Sequence, residues 1–165
     1  MEKITNINNL ILKNKKELLF VKLDDYFYKN NLIDNLANFL NNGINFIIVK
    51  IEIKNNCIAL NVLNKIRQLC SHFNALLCIK SRFDIVKIGE FNSILLTIND
   101  FNKKIIEKHL CKEMIYGYFL NNKLDDNNSF DFFVSDKNTS VECKNIYFLN
   151  KIIDNNFKLY KKEEK

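Results

Sequence analysis

Runs of apolar residues that do not alternate with polar ones recur along this chain, with helical patterns between them. Leu18–Leu23 (LLFVKL), Ile44–Ile51 (INFIIVKI), Ala75–Ile79 (ALLCI), Ser93–Ile98 (SILLTI), Met114–Leu120 (MIYGYFL) and Phe130–Val134 (FDFFV) all read as strands. A strand that is apolar at successive positions is covered on both faces, which is the signature of a parallel sheet flanked by helices. Leu32, Ile33, Leu36, Ala37, Phe39 and Leu40 recur at helical spacing after the first run. Leu60, Val62, Leu63, Ile66 and Leu69 do so after the second, within a predicted helix over Ala59–Cys70. Shorter helical patterns cover Phe83–Ile88 and Lys103–Leu110. Strand and helix alternating in this way make βα units.

The punctuation agrees. Asp24-Asp25 suits a helix cap after the first strand, and Asn41-Asn42-Gly43 suits a helix end. Gly89 is expected to stop the short Phe83–Ile88 helix. Residues 1–16 form a polar N-terminal extension with room for a short helix around Ile7–Leu12, and 158–165 a charged, solvated tail. Asn145–Leu149 either begins a seventh strand or joins a last helix running to Phe157. Periodicity alone leaves two architectures open, an incomplete barrel and a doubly wound open sheet. No G-x-G-x-x-G follows the first strand and no Walker A loop is present, so the nucleotide-binding open sheets gain no support. A full (β/α)8 barrel takes about 200 residues or more, and this chain has 165.

The net charge of +6 comes almost wholly from scattered Lys, with Arg only at Arg67 and Arg82. Nucleic-acid binders cluster their cations on one face and interleave aromatics, so no nucleic-acid partner is expected. Five Cys without C-x-x-C spacing give neither a disulfide framework nor a zinc site. His72 and His109 have no metal-binding partner by spacing, and Cys78 and the Phe-rich segments read as core. The opening residues do not form a signal peptide and no run reaches the length of a membrane span, so a cytoplasmic protein without a membrane partner is expected.

Ile79–Phe101 (IKSRFDIVKIGEFNSILLTINDF) resembles the "INDR-x-D-x-A…GADGVHLGQEDL" segment of the thiamine phosphate synthase/TenI family. The resemblance extends over roughly residues 17–136. Leu19–Asp24 (LFVKLD) is similar to "LYLVTD", Gly43–Glu52 (GINFIIVKIE) to "GVTLVQLREK", Ile115-Tyr116-Gly117 to "IIG", and Ser129–Asp136 (SFDFFVSD) to "ADYVGFGP". All three Gly, at 43, 89 and 117, fall where that family has glycine. The resemblance implies an incomplete TIM-type (β/α) barrel of about six to seven parallel strands, with a TenI-like domain over 17–157.

The family couples hydroxymethylpyrimidine diphosphate to thiazole phosphate with magnesium, so the resemblance implies a transferase of thiamine biosynthesis. Many matching positions depart from that chemistry. Ile48 stands where the family has Gln, Lys50 where it has Arg, and Glu52 where it has Lys. Lys80 and Ser81 replace the Asn and the metal-binding Asp of "IND", while Arg82 and Asp84 are retained. Leu95 and Ile98 replace His and Gln, Phe119 replaces a Ser, and Asp136–Ser140 lacks the family's Thr-Lys loop.

Two readings follow for each candidate. Lys50, Lys80 and Arg82 form a phosphate clamp at the carboxyl ends of neighbouring strands, or they are solvated strand-end cations. Asp24 touches substrate, or caps a helix. Asp100 is a residual magnesium ligand, or the N-cap of the Lys103–Leu110 helix. Expected functions are thus the family's transfer reaction, or a pseudoenzyme that binds a phosphorylated small ligand or a partner subunit. Six units leave two sheet edges open. Residues 1–16, the segment Asn145–Tyr160, a homo-oligomer or a partner subunit are the candidates to cover them.

Overall fold

The computed structural model describes residues 17–24, 32–97, 99–100, 103–111, 113–120, 130–135, 146–153 and 159–161. The expected helix near Ile7–Leu12 and the Asp136–Ser140 loop lie outside them. In chain order the elements are β1 (Glu17–Leu23), α1 (Leu32–Asn41), β2 (Phe46–Ile51), α2 (Asn56–His72), β3 (Leu76–Lys80), α3 (Phe83–Gly89), β4 (Ser93–Leu96), α4 (Lys103–Glu107), β5 (Ile115–Leu120), β6 (Phe132–Ser135), β7 (Ile146–Ile153) and β8 (Leu159–Lys161).

Strands β1 to β7 are parallel and pair in chain order. β7 also pairs with β1 in parallel, joining Leu19 to Lys151 and Val21 to Ile153 after a register shift between Glu17 and Leu19. Among the described residues seven parallel strands therefore run as a ring, where a TIM barrel has eight. Of the two sequence readings of residues after Asn145, the strand is the one found, and it covers both edges left by the first six units. β6 pairs only with the first part of β7, Ile146–Phe148. β8 runs antiparallel along the later part, Lys151–Ile153, and takes up the backbone groups that β6 leaves there. Leu159–Lys161, read from its charge as part of a tail, is thus a strand.

Residues alternate between two cores. Leu19, Val21, Ile47, Val49, Leu77, Ile79, Ile94, Leu96 and Tyr116 face the helices, where Leu36, Leu63, Ile66 and Val86 complete a largely aliphatic layer. Leu18, Phe20, Phe46, Ile48, Cys78, Leu95, Phe132 and Val134 fill the ring. The strand residues expected to be core, including Leu19, Val21, Ile47, Val49, Leu77, Ile94, Leu96 and Phe132, are all buried. Full burial of such side chains is worth about 1.5–3 kcal/mol each, so both layers carry the fold.

Local details follow from residue chemistry. Asn55 caps α2, its Oδ1 accepting from the Cys57 and Ile58 amides at 2.9 and 3.2 Å, so this helix begins earlier than the apolar pattern from Ala59 predicts. Gly43 takes φ +98° in the turn after α1, a conformation that costs a residue with a Cβ dearly. At α3 the expectation is corrected: the helix runs through Gly89, and Glu90 supplies the left-handed cap at φ 54°. Gly89 is needed for space instead, because a Cβ there would lie 2.3 Å from the Phe91 ring. α4 ends at Glu107, short of the expected Leu110. Among the described residues no helix is long and apolar enough to cross a membrane.

Candidate functional site at the carboxyl mouth of the barrel

The inward-facing row of β1 ends in Lys22, that of β2 in Lys50 and that of β3 in Lys80. Lys22 and Lys50 are paired across the ladder. Lys80 stands one residue beyond the last paired row of β2 and β3, Val49 with Ile79. Three cations thus collect at one rim, at the carboxyl ends of consecutive strands, where ligand sites of parallel α/β barrels are built.

Below them the ring is plugged by side chains. Phe46 and Phe132 meet edge to face, with centroids 5.2 Å apart. Gly117, beside Phe132 on the neighbouring strand, makes room for that ring: a Cβ there would sit 2.2 Å from it. Higher up, the Lys80 Nζ lies 5.5 Å from the ring centroids of both Phe20 on β1 and Phe119 on β5. A cation at that distance is attracted by both ring faces. Lys80 therefore leans inward over Phe20 and Phe119.

The lysines differ in their surroundings. Lys50 pairs with Glu52 at 2.9 Å, and both side chains are about two-fifths exposed. Lys22 is exposed. Lys80 makes no ion pair among the described residues. Burial first, and then the like charge of Lys50, lower its pKa from the ordinary lysine value. Asp100 opposes that shift, Lys22 adds to it and Glu52 opposes it.

The sequence candidates do not all converge. Lys50 and Lys80 share the mouth. Arg82 does not join them. Ser81 takes a positive φ of 64°, and the chain turns so that Arg82 forks onto Asp84 at 2.9 and 2.8 Å and reaches Asn56 at the start of α2 at 3.0 Å. The hydrogen bonds to Asp84 raise the Arg82 pKa, and those from Arg82 lower that of Asp84. Asp100 accepts from the Ser81 hydroxyl at 2.9 Å and the Thr97 amide at 2.6 Å through one oxygen, Oδ2. Arg82, Asp84, Asn99 and Asp100 line a neighbouring open cleft of about 340 Å³ outside the ring. Asp24 follows β1 at the same end, half-buried and already engaged in an interaction. No group of three His, Cys, Asp or Glu side chains gathers among the described residues.

Lys22 is the cation that the sequence reading missed. The available signal is a repeated strand ending: VKL at 21–23, VKI at 49–51 and CIK at 78–80 each place Lys on the inward parity. The other arginine, Arg67, is structural. It donates to the Gly89 carbonyl at 2.7 Å and stacks over Phe91 at 4.3 Å, tying α2 to the end of α3.

Comparison with solved structures places this architecture. The fold is similar to that of thiamine phosphate pyrophosphorylase from Pyrococcus furiosus, with a TM-score of 0.62 at 16% sequence identity. The likeness is one of fold. It covers 75% of this chain and 61% of that one, so the chain spans less than two thirds of the length of the enzyme it matches. No family model matches the chain, and no curated protein matches it. The neighbour bears the activity of the family that the Ile79–Phe101 segment resembles, so sequence pattern and fold point to the same scaffold.

Proposed function

We propose that this chain is a thiamine phosphate synthase-like barrel that binds a phosphorylated small molecule at its carboxyl mouth without performing the family's transfer reaction. The observation that carries the reading is the convergence of Lys22, Lys50 and Lys80 on one rim above a lumen closed by Phe20, Phe119 and Phe132. Phosphate needs cationic donors, and Lys22 and Lys50 supply them as point charges on flexible stems, with Lys80 beside them. The transfer chemistry needs a metal to assist departure of diphosphate. Ser81 stands where the resemblance places a metal-binding Asp, and it donates to Asp100 instead of competing for a cation.

The test is calorimetric titration of the protein with inorganic pyrophosphate and with thiamine phosphate, with and without magnesium, beside an assay for thiamine phosphate formation. Binding that falls about tenfold or more in Lys50→Met, with no turnover, is the expected result. No binding of either ligand would overturn the reading. Turnover dependent on magnesium would restore the transferase as the function.

A further inference from the structure

Lys80 differs from its neighbours in a way that phosphate binding does not require. A lysine that only clamps phosphate is best left in solvent, as Lys22 is at the rim. Lys80 is instead held in place. Its Nζ lies 5.5 Å from the centroids of both the Phe20 ring on β1 and the Phe119 ring on β5. Among the described residues it has no carboxylate partner, while Lys50 beside it has Glu52. The charged groups around it are Lys50 and Lys22, which disfavour its ammonium form, and Asp100 and Glu52, which favour it. Burial together with the two like charges outweighs the carboxylates, so its pKa is lowered. An amine desolvated on an apolar floor beside other cations is the setting in which lysine becomes a nucleophile.

We propose that Lys80 is a reactive amine that condenses with the carbonyl of a phosphorylated aldehyde or ketone, while Lys50 and Lys22 hold the phosphate. This inference rests on the phosphate-binding reading of the mouth and adds a covalent step to it. The neutral Nζ adds to the carbonyl carbon, forming an N–C bond and, after proton transfer, a carbinolamine. The carbinolamine hydroxyl takes a proton from solvent and leaves as water, its oxygen that of the former carbonyl, and the result is a protonated imine between Lys80 and the ligand. No oxidant or metal is required. The Phe20 and Phe119 faces suit the resulting iminium, which keeps the positive charge that the ammonium placed there.

The full chain is mixed with pyridoxal 5′-phosphate, a phosphorylated aldehyde, then reduced with borohydride and mapped by peptide mass. The expected result is a reduced adduct on Lys80 exceeding that on any other lysine by about tenfold or more. Pyridoxal without the phosphate should label it far less. Lys80→Arg keeps the cation and removes the nucleophile, so it should lose the adduct. Label spread over surface lysines and unchanged in Lys80→Arg would overturn the inference. So would tight binding of the probe with no adduct on Lys80, although the phosphate reading would survive. Failure of both probe and pyrophosphate to bind would overturn both.

Discussion

Adjacent residues of β2 serve two different interiors. Ile47 and Val49 pack with Leu36, Leu63 and Ile66 in the layer shared with the helices. Ile48 packs with Phe20, Cys78 and Phe132 inside the ring, and the next residue of the same parity is Lys50. The outward rows of β1 and β2 end in Leu23 and Ile51, both buried. Only the inward rows end in charge. The outer layer is largely aliphatic and draws on both strands and helices. The inner one depends on a few phenylalanines and on the missing side chain of Gly117. The helix-facing parity thus holds the sheet to its helices, while the inward parity decides what the mouth can bind.

The largest test of this comparison is to remove residues 145–165. That deletion takes away β7, re-exposes the free edges of β1 and β6, and leaves the inner layer open to water. Aggregation or loss of cooperative unfolding is expected. A monomer that melts like the parent would mean that the inner layer does not depend on closure. Next in size is the plug itself. Phe132→Ala should cost about 3–5 kcal/mol by chemical denaturation, and Gly117→Ala about 1–3 kcal/mol by overpacking. Because the Phe132 ring occupies the space above Gly117, the cost of Gly117→Ala should shrink when Phe132 is first changed to Leu. Strict additivity would show that the two do not share that space.

A smaller effect of opposite sign is expected at the mouth. Lys80 in the folded protein holds its proton less tightly than in the unfolded chain. Between its folded pKa and the ordinary lysine value, the unfolded state binds more protons, so stability rises with pH there. Lys80→Met should remove that slope and raise the melting temperature near neutral pH by about 3 °C. An unchanged slope would mean that Lys80 titrates as a solvated lysine. The smallest effect belongs to the outer cleft. The Arg82–Asp84 pair is partly exposed, at 32% and 45%, so Arg82→Ala should cost under about 1 kcal/mol. Asp84 has a lowered folded pKa. Its contribution is therefore present above the ordinary carboxylate range and is lost as pH falls through the lowered value. Urea titrations of parent and Arg82→Ala should converge at acid pH. A difference that persists there would assign the effect to packing.

The sheet was legible because burial on both faces writes continuous apolar runs, which few other structures produce. β8 was not, since KLYKK is too polar and too short to stand out from a solvated end. The carboxyl-end position of Lys50 and Lys80 could be read from the resemblance. The place of Arg82 could not, because the turn that carries it away depends on a positive φ at Ser81, a residue type that gives no sign of it. Asp100 was ambiguous between cap and ligand. In the fold its Oδ2 accepts from two donors, the nearby Thr97 amide and a Ser81 hydroxyl that only the fold brings within reach. Lys22 was passed over because one lysine in an apolar run looks like noise until the parity of the neighbouring strands is known.

The pairing of β7 with β1 also sets the timetable of folding. It joins Leu19 to Lys151, residues near opposite ends of the described chain, whereas every other parallel pairing links strands adjacent in sequence. Those local pairings form over short loops, but the closing one carries the largest loop-closure entropy and comes late in any route that builds the sheet stepwise. A growing chain therefore holds β1 with one edge bare until the last parallel strand has left the ribosome. During that interval the apolar row from Leu18 to Leu23 is exposed to pairing with another chain, so the vulnerable period of this protein precedes its native state and is governed by synthesis rate more than by final stability.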